Sequence, residues 1–272
     1  MLTERSQRWR DRRSRYVDDL SVIDPRRYAV DVVEPALGRR FIAQHHYLPS
    51  WPAAKLAVGL FVAGKGGRSH LAGLAVFAVP AIGHVVTRHS GMPEAGQGCA
   101  LARFVLLDEV AGNGESFTLS RAFRLLRAEK PEIEAVVSYS DPQAGHIGGC
   151  YAAMSSAYRG QTRPRTEYRI GGRGINGRTL SKIRLGERGA GGAVDQLVAA
   201  GAPRPMINEP LEQWLERLSR ERVLLRAKHP GLHTYCFELT RRARKLGQAL
   251  PRRPYPKILQ LPHPELPFSP AT

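Results

Sequence analysis

The sequence predicts an α/β protein built on one mixed sheet with helices on its faces. Three observations carry this: short apolar runs bounded by turn residues, helical apolar spacing in the segments between some of them, and a proline that closes one run at an acidic residue. Tyr28 to Val33 reads as a strand and Glu34 to His45 as a helix, with Pro35 suited to its first turn. Leu56 to Val62 and Leu71 to Val79 read as strands joined in a hairpin across Gly64-Lys65-Gly66-Gly67. Ala81 to Gly98, with four glycines and a proline, reads as an irregular loop.

The next unit is the most informative. Leu101 to Leu107 is an apolar run too short for a helix, so it reads as a buried strand. It leads into Asp108-Glu109-Val110-Ala111-Gly112-Asn113-Gly114-Glu115-Ser116, a tight glycine-containing turn. Leu119, Ala122, Phe123 and Leu126 then form one helical face. A turn of backbone amides at a helix start can hold a phosphate, so Leu106, Gly112, Asn113, Gly114, Glu115 and Ser116 are the candidate cofactor-holding stretch. Ile133 to Ser140 reads as a strand that Asp141-Pro142 ends, because proline cannot continue a ladder. Asp141 is thereby placed at a strand's C-terminal edge, where open α/β sheets put their ligands. Ile147, Tyr151, Met154 and Tyr158 follow at i, i+4, i+7 and i+11, which predicts one helix with both tyrosines on its inner face.

Beyond it, Glu167 to Ile170 and Leu180 to Leu185 read as strands flanking the loop Gly171 to Gly177, and Gly186 to Gly192 as a flexible break. Pro210 suits a helix start, followed by the stripe Leu211, Trp214, Leu215, Leu218 and Leu225. His233 to Leu239 reads as a strand, Thr240 to Leu250 as a basic helix, and Pro251 to Pro270 as irregular. The expected organisation is a basic mobile arm over 1–25, a catalytic domain over 26–186 and a C-terminal extension over 187–272 packing on it.

The formal charge of +17, from 41 Lys and Arg against 24 Asp and Glu, exceeds what solubility requires and points to a polyanion, with nucleic acid the leading partner. The three cysteines, Cys99, Cys150 and Cys236, have neither disulfide-framework nor metal-ligand spacing. The arm carries Arg5, Arg8, Arg10, Arg12, Arg13 and Arg15 with no apolar region after them, and no 18-residue apolar run occurs. A soluble cytoplasmic protein without secretory signal or membrane contact is expected.

The element order, with its phosphate-binding turn after the fourth strand and a tyrosine on the last helix, resembles the GNAT acyltransferase fold, whose members bind acetyl-coenzyme A. Six strings are more specific: Phe41 to Tyr47, Asp108 to Ser116, Ser138 to Pro142, Gly145 to Tyr151, Ser181 to Arg184 and Pro254 to Lys257. Together they resemble the Mom family of bacteriophage DNA modification proteins, over residues 28 to 185 and 233 to 257. That resemblance implies carbamoylmethylation of adenine N6 in phage DNA, in the host cytoplasm, as protection from restriction enzymes.

A CH2-CONH2 product contains a nitrogen and a methylene linkage that plain acetyl transfer cannot supply. The acyl donor is thus acetyl-coenzyme A or another molecule, and a further small donor or an iron-assisted step stays open. His45, His46, His229 and His233 are the available imidazoles, and no metal ligand is assigned. The resemblance places Arg103 and Ser116 in the active region, and Asp141, Tyr151, Tyr47 and His46 are the further candidate catalytic residues. Adenine N6 is a poor nucleophile whose lone pair is delocalised, so Asp141 is the candidate proton acceptor. Tyr151 is a general acid or a stacker, Arg103 a phosphate ligand and Ser116 a donor-oxygen ligand. A duplex hides the amine, so the base must flip out, with Tyr47, Tyr139 and Tyr151 as stacking platforms. Arg178, Lys182, Arg184 and Tyr139 are the candidate contacts to double-stranded DNA. The competing readings are an ordinary N-acetyltransferase acting on a protein or small amine, and a non-catalytic DNA-binding protein.

Overall fold

A computed structural model of the chain describes residues 22–64 and 68–256. Most of the expected arm, the tip of the first hairpin and the tail beyond 256 lie outside the described residues. The elements in chain order are β1 (Tyr28–Val32), α1 (Pro35–His45), β2 (Ala54–Ala63), β3 (Ser69–Ala78), α2 (Val85–Ser90), β4 (Gly98–Leu106), α3 (Gly114–Glu129), β5 (Ala135–Ser140), α4 (Gly149–Ala153), β6 (Ala157–Gln161) and β7 (Arg165–Ile170). They continue with β8 (Arg173–Ile175), α5 (Gly177–Arg184), α6 (Ala190–Ala199), α7 (Leu211–Arg220), β9 (Leu225–His229), β10 (His233–Glu238) and α8 (Arg241–Gly247). Among the described residues no helix is long and apolar enough to cross a membrane.

The chain divides into two compact units, one running to Gln161 and resuming at Leu232, the other spanning Thr162–Gly231. The first holds a mixed seven-stranded sheet in the order β1-β2-β3-β4-β5-β10-β6. Among the strands of this sheet β4 and β5 are the pair that runs parallel, and α3 is the crossover between them. Their pairing runs from Gly98 opposite Ala135 to Leu101 opposite Ser138 and stops there, although β4 continues to Leu106 and β5 to Ser140. The sheet therefore opens at the C-terminal ends of its two central strands.

Helix α3 follows the spacing read from the sequence. Its buried Leu119, Ala122, Phe123 and Leu126 pack on Val58, Phe77, Leu101 and Val136, and the same cluster takes in Tyr151, Tyr235 and Phe237. Leu119 and Leu126 are both wholly buried, worth roughly 1.5–3 kcal/mol each. The opposite face of the sheet is covered by α1 through Phe41 and Ile42, and by α2 and α8 through Val85, Val86 and Ala243.

Several expectations are corrected. Leu180 to Leu185 is not a strand: Asn176 accepts from the Arg178 amide at 2.9 Å and caps α5, whose buried Leu180 and Ile183 are one turn apart. The long helix expected from Ile147 to Tyr158 is only α4, because Ser155 adopts φ 57 and the chain then reverses into β6. Tyr158 thus lies on a strand opposite Tyr235 in β10, with its hydroxyl 2.8 Å from His233 Nδ1. The loop expected over 81–98 contains α2, which buries Val85 and Val86. Leu225 leaves the apolar stripe and opens the edge strand β9. The expected boundary near residue 186 shifts because β10, from the expected extension, sits between β5 and β6 in the first unit's sheet.

The C-terminal return is tied down by Arg159, whose side chain is only 4% exposed. Its guanidinium pairs with Glu238 at 2.7 Å and donates to the carbonyls of His89, Gly247, Leu250 and Pro251. Arg159→Ala strands a half-buried carboxylate and leaves those carbonyls without their donor, so it is expected to destabilise the fold by about 3 kcal/mol, measured by urea unfolding.

Candidate active site

The site gathers where β4 and β5 part. Helix α1 ends at His45, and the His46 amide closes it by donating to the Ile42 carbonyl at 3.0 Å. The chain then runs extended, and His46 Nδ1 accepts from the Leu48 amide at 2.9 Å. With Nδ1 an acceptor, the neutral ring carries its proton on Nε2. Arg103, projecting from β4 beyond the last β4–β5 pair, fastens this loop. It donates to the Leu48 carbonyl at 3.2 Å, and to Ser50 through the carbonyl at 2.9 and 3.1 Å and the hydroxyl at 3.0 Å. Nη1 donates to the Ala102 carbonyl at 2.7 Å. Arg103 thus clamps the loop that carries His46 and Tyr47.

Across the opening, Asp141 follows the last residue of β5. Its Oδ1 accepts from the Gln143 amide at 2.8 Å, and its carbonyl accepts from the amides of Ala144 at 3.1 Å and His146 at 2.8 Å. This compact turn brings His146 back toward the α1 loop. The Tyr47 ring stacks on His46 at 4.6 Å between centroids and meets His146 edge-on at 5.1 Å. Asp141 and the three rings from two distant chain segments form one cluster.

Burial dominates its electrostatics. The imidazole of His46 is pushed down to about 3, first by desolvation and then by the Arg103 charge. Desolvation lowers His146 to about 4, with the Asp141 carboxylate opposing. The Tyr47 phenol is pushed up to about 12, by burial and then by Asp141. At neutral pH the two imidazoles are uncharged and the phenol is protonated, beside a carboxylate and a guanidinium.

Tyr151 lies on α4 against Tyr235 and Phe237, with centroids 5.4 and 5.6 Å away. Burial raises its hydroxyl strongly and Tyr47 adds to the shift, while a side-chain hydrogen bond with Ser138 opposes it. Gly148, with φ 72, caps α4 because a Cβ there would lie 2.5 Å from the Tyr235 ring. The Tyr235 hydroxyl donates to the Ile147 carbonyl and so holds the stretch between His146 and Tyr151.

The β4–α3 turn is present, with Asn113 in the left-handed region at φ 64 and Gly114 pressed against Val110. The Gly114 amide donates to Ala111, the Ser116 hydroxyl donates to the Asn113 carbonyl at 3.0 Å, and the Leu106 side chain is buried. Asp108, Glu109 and Glu115 lie within this stretch of the chain, and no Lys or Arg lies between Leu107 and Phe117. Glu109 meets His70 at 2.6 Å, and Arg121 lies over the Phe117 ring at 3.5 Å. A pyrophosphate at this turn would rely on its backbone amides, since the turn itself carries carboxylates and no cation.

The sheet alternation corrects one further assignment. Ser138 faces Tyr151, whereas Tyr139 points to the other side and packs with the α2 and α8 cluster, so it cannot stack a base beside Tyr151. Arg178, Lys182 and Arg184 lie in the second unit, on α5. Arg178 there forms a bidentate pair with Glu187 at 3.0 and 2.5 Å, while Arg184 is exposed. Sequence reasoning missed His146, whose signal was its place after an Asp-Pro turn and between glycines. His45 instead packs on Phe41, and His229 accepts from the Gly231 amide. Among the described residues no three His, Cys, Asp or Glu side chains gather as a metal-holding group.

Residues 27–257 match the model of the Mom protein family. The chain belongs to this family. No curated protein matches it significantly. Among solved structures, it is similar to a GNAT family acetyltransferase from Elizabethkingia anophelis with acetyl-CoA bound, at 7% identity and a TM-score of 0.32, over 78% of this chain and 99% of the other. It is also similar to a proposed phosphinothricin N-acetyltransferase at 11% identity and a TM-score of 0.32, over 55% of this chain and 90% of the other.

The depressed histidines couple the site to stability. Each is neutral when folded and takes up a proton near 6.5 when unfolded, so stability falls as pH drops from about 6.5 toward the folded values and is retained above it. His46→Gln is expected to flatten this loss by up to about 1.4 kcal/mol per pH unit, measured by urea unfolding across pH 7 to 4.

Proposed function

We propose that this Mom family member is a transferase that attaches a carbamoylmethyl group to adenine N6 in double-stranded DNA. The observation that carries the reading is the joining of Asp141, Tyr47, His46 and His146 at the open end of the sheet, with Tyr151 behind them. A carboxylate held at a strand end by its own turn suits the task of taking a proton from an amine that is otherwise a weak nucleophile. Membership of the Mom family supports DNA as the substrate class of this reading.

In the proposed reaction the flipped adenine enters the opening and stacks on Tyr47. Its N6 forms a bond to the methylene of a carbamoylmethyl donor, whose bond to its leaving group breaks with the electron pair going to that group. The N6 proton passes to Asp141. Tyr151, whose hydroxyl keeps its proton far above neutral pH, donates to the leaving group. His46 and His146, both neutral, can offer or accept a hydrogen bond to the base edge without placing a second charge beside Asp141. Arg103 acts as a positioning residue through the loop it clamps, and Ser116 is assigned to the donor side. Acetyl-coenzyme A alone does not supply this group, because plain acetyl transfer provides neither the nitrogen nor the methylene linkage.

Asp141→Asn preserves the cap on the Gln143 amide through its amide oxygen but removes the proton acceptor. It is expected to lower modification by at least about 100-fold while duplex affinity stays within a few-fold, read by mass spectrometry of nucleosides and by titration of labelled duplex. Modification near the wild-type level would remove Asp141 from its role.

The second unit is the proposed DNA-holding region. Residues 162–231 carry 14 Lys and Arg against 7 Asp and Glu, a stronger imbalance than that of the whole chain. Lys182 and Arg184 are assigned to phosphates, and Arg178 less so because Glu187 neutralises it. Reversing Lys182 and Arg184 to glutamate is expected to weaken binding alike for all sequences. It should also reduce the slope of log affinity against log salt by about one per lost contact, measured by fluorescence anisotropy.

A further inference from the structure

Between α6 and α7 the chain makes a turn whose tip carries two adjacent aliphatic side chains, Met206 at 63% and Ile207 at 95% exposure. Turn tips ordinarily carry polar residues or glycine, and two neighbouring large apolar groups in water are unfavourable unless something covers them.

The turn is built to hold them out. The Glu209 amide donates to the Met206 carbonyl at 3.0 Å, and the Met206 amide donates back to Glu209 Oε2 at 2.8 Å. Asn208 supplies the left-handed residue at φ 61. Arg217 of α7 grips both Glu209 oxygens at 2.7 and 2.8 Å and donates to the Arg204 carbonyl at 3.3 Å. Wholly buried Trp214 donates to the Pro203 carbonyl at 2.9 Å. The loop is therefore pinned at its base on both sides, and its apolar tip makes no contribution to the unit's core.

Resting on the DNA-modifying reading above, we propose that Met206 and Ile207 form a wedge that enters a base step of duplex DNA and bends it. The unit's twofold excess of cations over anions selects a polyanion as the occupant. Base edges and base faces are what a polyanionic duplex offers to an apolar side chain. Aliphatic side chains on a rigid mount can separate stacked bases, and the bent duplex then wraps more of the basic surface. Because the backbone of the turn is already ordered, little further ordering is required on binding.

The test uses full-length protein and a duplex labelled at its two ends with donor and acceptor dyes. The wild type should raise energy transfer on saturation. Met206→Ser with Ile207→Ser should bind with the same salt dependence but lose that rise, and substitution at side chains this exposed leaves folding intact. A bend made by the wild type and lost in the double variant supports the wedge, whether or not adenine is modified in the same samples. Modification by the wild type without any bend, or equal bends by both proteins, overturns the wedge and leaves the modification reading standing. Equal bends together with a wild-type dimer that the substitutions convert to monomer, seen by sedimentation, would assign the tip to a second copy of the chain.

Discussion

The parallel pairing of β4 with β5 is the constraint that sets the rest of the molecule. A parallel pair cannot be closed by a tight turn, so the chain must cross over through α3, and that crossover supplies the main face of the core. The pairing stops after Leu101 and Ser138, and the opening beyond it is lined from three directions. Arg103 projects from the continuing strand and Asp141 from the end of its neighbour, while the loop after α1 brings His46 and Tyr47. None of these could be moved to the other end of the sheet without reversing the crossover.

What the opening offers chemically follows from how little water reaches it. Burial drives the two imidazoles toward neutrality and the phenols toward retention of their protons, leaving Asp141 as the carboxylate of the cluster. Such a site is poorly suited to gripping a phosphate and well suited to a flat, uncharged ring with polar edges. Carboxylates also dominate the β4–α3 turn, whose backbone has the shape of an anion site without its charge. The second unit carries twice as many cations as anions, 14 against 7, and in the proposed reading it holds the duplex while the chemistry falls to the first unit.

Much of this was legible in the sequence because it rests on local signals. Proline after Asp141 marked a strand end, the apolar spacing of Leu119 to Leu126 marked α3, and the glycines at 112 and 114 marked the turn. The failures share a cause, which is that short apolar segments satisfy more than one period. Leu180 to Leu185 fits a strand by length and a helix by the spacing of Leu180 and Ile183, and the Asn176 cap decides for the helix. Tyr158 fits the helical period of Tyr151, but Ser155 reverses the chain before that period can be used. The insertion of β10 between β5 and β6 is a long-range pairing that no local pattern announces, and it moved the boundary of the first unit. His146 was passed over for the same reason: its meeting with Tyr47 joins segments a hundred residues apart.

The most direct test of the proposed activity is mass spectrometry of nucleosides from plasmid DNA recovered after expression of the wild-type protein in a bacterial host. A carbamoylmethyl transferase leaves a deoxyadenosine species heavier by one carbamoylmethyl group and absent from cells without the protein. Unmodified deoxyadenosine alone, in cells containing ample folded protein, would contradict that activity.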